Sequence, residues 1–123
     1  MKLTSMRRAL PSELEAAYAE AAVRQGRASL EGDFRTANAQ QKTLVAVWGE
    51  LRTRGEEGQA SLLRLLDHQE QDVRVWAASH ALSFAPARAE EVLERACHAS
   101  PSPSRLNAEM TLREWRAGRL PED

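Results

Sequence analysis

The sequence predicts an all-α protein of six helices paired as three antiparallel hairpins, and three observations carry that reading. Strands favour β-branched residues, yet the 123 residues contain no isoleucine and only six valines and five threonines, against 21 alanines. Between turn signals the apolar residues recur at spacings of three and four, the period of a helix face. The turn signals are Pro11-Ser12, Gly32-Asp33, Gly55, Ala85-Pro86 and the Ser100–Ser104 cluster, with a weaker break over His68–Asp72. They cut the chain into helix-length pieces. A chain of this size forms one domain, 1–123, with a core of its own. Residues 1–11 and 119–123 are expected to be loosely ordered ends.

Each element has a local reason. Ser12, with Glu15 three residues on, has the pattern of a capping box for the first helix. Leu14, Ala17, Tyr18, Ala21 and Ala28 give that helix a stripe of mostly small residues, and Gly32 supplies a left-handed stop. Asp33 is the N-cap expected for the second helix. Its stripe is Phe34, Ala37, Gln41, Leu44, Val45, Trp48 and Leu51, and Gly55 ends it. The third helix, 57–67, carries Ala60, Leu62, Leu63, Leu65 and Leu66 and is apolar on more than one side. Asp72 is expected to cap the fourth, 73–84. Pro86 suits the first turn of the fifth, 87–98, because its missing N–H costs nothing there. Ser102-Pro103 opens the sixth, 104–117, with Leu106, Met110, Leu112 and Trp115 as its apolar members. Gly118 closes that helix, and Pro121 ends the ordered chain.

Charge narrows the function classes. Seventeen Lys and Arg face eighteen Asp and Glu, for a net charge of -1. Nucleic-acid-binding domains gain affinity by neutralising phosphates, so this balance speaks against a nucleic-acid partner. Fifteen of the seventeen cations are arginine, a side chain suited to protein interfaces. Residues 1–11 hold cations but no apolar run of signal-peptide length, and no window approaches a membrane span. A soluble cytoplasmic protein is the expectation. The single cysteine, Cys97, cannot form an internal disulfide.

Residues 60–82 read ASLLRLLDHQEQDVRVWAASHAL. Leucines in a first helix, an acidic polar turn, then Asp72-Val73-Arg74 and the small pairs Ala77-Ala78 and Ala81-Leu82 resemble a HEAT-type repeat. With the segment from Ala85-Pro86 to Leu93 and the two long N-terminal helices, the chain resembles a small bacterial domain-of-unknown-function family with an armadillo/HEAT-like fold. The resemblance implies a right-handed α-α superhelix. It also implies a binding role, in its most concrete form that of an immunity or antitoxin-type protein. A fainter internal repeat runs beside it. Leu62, Leu66, Arg74, Ala77 and Phe84 recur 31 residues later as Leu93, Cys97, Arg105, Ala108 and Trp115.

The candidate interaction residues are Arg74, Trp76 and His80. Trp76 and His80 are four apart, hence neighbours on a helix surface. An aromatic leaving the core face beside Arg and His has the composition of a binding hot spot. The competing reading packs Trp76 under a neighbouring hairpin with His80 in the seam beside it. Trp48 sits on the apolar stripe of its helix and reads as core. Trp115 reads as a cap on the far end of the core, with a contact site as the second reading, and Cys97 as a small apolar residue.

No catalytic, cofactor or metal site is expected. His68, His80, His98 and Cys97 lack His-x3-His or Cys-x2-Cys spacing. No G-x-S-x-G, phosphate-loop or G-x-G-x-x-G pattern is present. Neighbouring acids such as Glu56-Glu57 and Glu90-Glu91 point ~100° apart on a helix. The leading expectation is therefore a non-enzymatic module binding an unidentified protein partner, with no membrane contact. The alternatives are a nucleic-acid-associated helical-repeat protein and a carrier with a small-ligand pocket between hairpins.

Overall fold

The computed structural model describes residues 3–120, and all regular structure among them is helical. A single turn, α1 (Leu3–Met6), precedes six longer helices: α2 (Pro11–Glu31), α3 (Phe34–Thr53), α4 (Glu56–Leu65), α5 (Gln71–Ala81), α6 (Pro86–Cys97) and α7 (Pro103–Arg116). The ends 1–2 and 121–123, with the expected stop at Pro121, lie outside the described residues. Next to those ends the chain is held to the body. Met6 is buried, its carbonyl accepts a 2.9 Å hydrogen bond from Arg54, and Leu120 packs partly against the core.

Local chemistry sets most boundaries. The Asp33 carboxylate accepts the Thr36 N–H at 3.1 Å, capping α3 as expected. The Ser102 hydroxyl accepts from Arg105 N–H at the start of α7, with Pro103 next to it. Gly32 takes φ 76°, a left-handed conformation that glycine adopts without steric cost.

Two caps differ from the sequence reading. Pro11, not Ser12, leads into α2, because a fixed φ and a missing N–H suit the first helical position. The reciprocal bond therefore comes from Glu13, whose carboxylate accepts Leu10 N–H at 2.7 Å. Glu15 instead crosses to α4, accepting from the Ser61 hydroxyl at 2.8 Å and from Arg64 at 2.8 Å. Asp72 caps nothing. Glu70 is the residue before α5, and Asp72 lies inside the first turn, with its carboxylate against Gly26 of α2.

The most extensive packing is between α2 and α3, and α2 also touches α4, α5 and α7. α5 sits at the centre, against α2, α4, α6 and α7. Leu14, Tyr18, Leu44, Leu51, Leu62, Val73 and Leu93 are fully buried between these elements. Small residues let the backbones close up. Ala77, Ala78, Ala81, Ala89 and Ala108 have no exposed surface. At the α3–α4 corner a Cβ on Gly58 would stand 1.7 Å from the Leu51 carbonyl oxygen.

The apolar stripes run differently from expectation on two helices. On α3 Phe34 is 70% and Val45 54% exposed, while Ala37, Leu44, Val47, Trp48 and Leu51 face in. On α7 the inward residues are Ser104, Ala108 and Leu112, and Leu106 and Met110 face out. The α7 interface brings the small Ser104 and Ala108 close to their neighbours and seats one large side chain, Leu112.

Candidate functional site

One turn of α5 places Trp76 beside His80, and the turn after the helix adds Phe84. The element behind them supplies Tyr18 from α2, and α3 supplies Trp48. The Tyr18 side chain is fully buried, and burial lifts its phenol well above the ordinary tyrosine range. The hydroxyl keeps its proton and shares a 2.7 Å hydrogen bond with His80 Nδ1.

The imidazole is also held by its faces. It stacks on the Trp48 indole with centroids 5.4 Å apart and planes 13° apart. Trp76 lies tilted at 6.2 Å, and Tyr18 meets the ring edge-on at 5.9 Å. Trp48 continues the stack to Phe84 at 6.2 Å. These distances fall in the range of favourable aromatic pairs.

Two shallow pockets flank this cluster and share Ser83. One, of about 290 Å³, is lined by Trp48, Phe84, Arg52, Gly55 and Gln59. The other, of about 190 Å³, is lined by Ser79, His80, Leu82, Thr111, Trp115 and Leu120. All three tryptophans of the chain therefore border one stretch of α5. Trp48 is 6% exposed, while Trp76 and Trp115 are half-buried.

The structure thus joins two of the three expected site residues and separates the third. Trp76 and His80 share the aromatic seam, both half-buried. Arg74 precedes Trp76 by two residues, about 200° round the helix. Its Nη1 donates to the His68 and Gln69 carbonyls, each at 2.8 Å, on the opposite side of α5. Sequence reasoning did not assign Tyr18, Trp48, Phe84 or Trp115 to this site. The recurrence of Phe84 as Trp115 was the signal available for two of them.

The seam offers a flat, rigid aromatic surface with one histidine, two serines and a threonine along it. Among the described residues no group of three His, Cys, Asp or Glu side chains comes together to hold a metal ion. No helix of the described residues is long and apolar enough to cross a membrane.

Comparison with known proteins places the fold in company. A solved structure, that of the protein RPA1889 from Rhodopseudomonas palustris CGA009, superposes with a TM-score of 0.87 at 25% sequence identity, covering 96% of this chain and 98% of that one. A search of curated proteins found no significant match. The sequence model of a domain of unknown function, DUF2019, matches residues 12–115. That span holds α3 to α6 whole, α2 but for its first residue and α7 but for its last, so the chain belongs to the DUF2019 family.

Proposed function

We propose that this protein is a non-enzymatic, protein-binding module whose contact surface is the aromatic seam of α5, centred on Trp76 and His80. The observation that carries the reading is the convergence of all three tryptophans, with His80 and Phe84, on one partly open surface. Rings already locked by stacking lose little side-chain freedom on binding, and Trp is enriched among the residues that dominate interface energies. The near-neutral charge supports a protein as the partner. A cytoplasmic immunity or antitoxin-type role is the concrete form of this reading. So is a HEAT-like stacking of the three hairpins, in which α3, α5 and α7 share the binding face.

The test is a pulldown from the host of origin, analysed by mass spectrometry, followed by calorimetric titration of the partner it identifies. Trp76→Ala should weaken binding by about 2 kcal/mol, roughly thirtyfold, with the circular dichroism unchanged. Phe34→Ser, at the far end of α3, should leave binding as it is. Full affinity in folded Trp76→Ala, or unfolding of that variant, would make Trp76 a packing residue and remove the seam as the contact surface.

A further inference from the structure

A cleft of about 470 Å³ lies on the other side of α5, between the α4–α5 turn and α6. Its volume falls within the range of small-molecule sites. Apolar side chains line part of it, Val75, Val92 and Ala96 among them, and Arg74, Arg88 and Arg95 supply its cations. Asp67 and Glu91 are its only carboxylates. Arg88 meets Asp67 at 3.3 Å and Arg95 meets Glu91 at 2.8 Å, and all four side chains are more than half exposed. Exposed pairs of this kind exchange partners at little cost.

Arg74 is different. Its guanidinium is half-buried and held rigid by the two carbonyls that Nη1 meets, and no carboxylate among the described residues pairs with it. Nε and Nη2 make no hydrogen bond there, so one donor edge of the fork stays open.

The internal repeat shows what that edge accepts. Arg105 occupies the equivalent place 31 residues on, and its Nη1 likewise donates to the carbonyl six residues back, that of Ala99, at 3.0 Å. There Nε is filled by the Glu109 carboxylate at 2.8 Å. The residue equivalent to Glu109 is Ala78, which is fully buried, so the chain supplies no acid to Arg74. His68, also on the cleft, accepts the Glu70 N–H on Nδ1 at 3.0 Å, which leaves an N–H donor on Nε2 of the neutral ring.

We propose that the cleft binds a small amphiphilic anion, its carboxylate or phosphate on the open edge of Arg74 and its apolar body over Val75, Val92 and Ala96. Arginine's planar fork matches both headgroups in a bidentate manner. The site is separate from the aromatic seam and stands whether or not the seam binds a protein.

The experiment is an NMR titration of the full chain at low salt with benzoate, phenyl phosphate, inorganic phosphate and benzyl alcohol. Saturable shifts of amides in 66–75 and 88–96 are expected for one or both aromatic anions, with a Kd near or below ~1 mM. The stronger of the two identifies the headgroup. Inorganic phosphate should bind at least threefold more weakly than phenyl phosphate if the phosphate is preferred, and benzyl alcohol should not saturate. Arg74→Met should weaken binding tenfold or more. Because Arg74 also ties the turn, the double variant R88M/R95M, which leaves that tie intact, should weaken it at least threefold. Absence of saturable shifts with both aromatic anions, benzyl alcohol binding as well as they do, or unchanged affinity in either folded variant would overturn the proposal.

Discussion

Tyr18 and Asp72 are two residues whose titration burial alters. Tyr18 is the chain's single tyrosine, and burial raises its pKa. A phenol that keeps its proton longer when folded contributes stability that is complete below the unfolded value, about pH 10, and is lost as pH rises through the folded one. Phenolate absorbance should therefore appear together with unfolding, and Tyr18→Phe should lack that alkaline component. At neutral pH the same variant strips His80 Nδ1 of its hydrogen-bond partner and should cost about 1–2 kcal/mol in urea denaturation. Asp72 behaves in the opposite pH range. Burial first, and Glu70 second, lift its carboxyl above the usual range. A carboxyl with a raised folded pKa adds stability as pH falls through that value toward ~3.9, and its charged form weighs against folding above it. Asp72→Asn should raise Tm at pH 7, with the gap closing on acidification. Equal Tm values at pH 7 would show that Glu70 and the Gly26 contact place no net penalty on the charge.

Helix contacts make two glycines of similar appearance behave in opposite ways. Gly58 stands where any Cβ would enter the Leu51 backbone, so Gly58→Ala should cost about 3 kcal/mol or more, since neither helix can shift without moving the α3–α4 corner. Gly49 is exposed inside α3 with nothing within 4 Å, so Gly49→Ala should stabilise by about 0.5–1 kcal/mol. Denaturant midpoints of the two variants check both. At this scale much was legible. Asp33, Ser102, Gly32 and Pro86 mark boundaries because the chemistry of a cap is decided within four residues. Asp72 misled, since its carboxylate is used against a glycine 46 positions earlier, which no local pattern reveals. Phe34, Leu106 and Met110 misled for a related reason. Periodicity shows that a face exists, and the neighbour decides which face turns inward; α7 turned Ser104, Ala108 and Leu112 in. Trp76 and His80 were legible as a pair at i and i+4. Their partners were not, because Tyr18 meets His80 across 62 residues of chain.

For the molecule as a whole, α2 decides how stability is shared. In a linear stack each unit leans on its neighbours alone, and stability sums unit by unit. Here α2 touches α3, α4, α5 and α7, so it links the first helices to the last. Leu14→Ala, at the buried start of α2, should cost about 3 kcal/mol. It should also speed amide exchange of the slowest amides of α7 by the same factor as those of α3. Unchanged exchange in α7 would mean that the last helices unfold as a unit of their own. The repeat read from the sequence is visible at this scale too. Arg74 and Arg105 latch equivalent carbonyls, and Ala77 and Ala108 are equally buried. What the repeat could not convey is how α2 lies across it, since that helix belongs to the part of the chain outside the pattern.

The stack of His80 on Trp48 has an optical consequence. Trp48, 6% exposed and stacked on the imidazole, emits from a dry surround, whereas the half-buried Trp76 and Trp115 emit from a wetter one. Steady-state emission would then report the seam without a label, and anything that pries Trp48 and His80 apart would let water reach that indole and move the emission to longer wavelength.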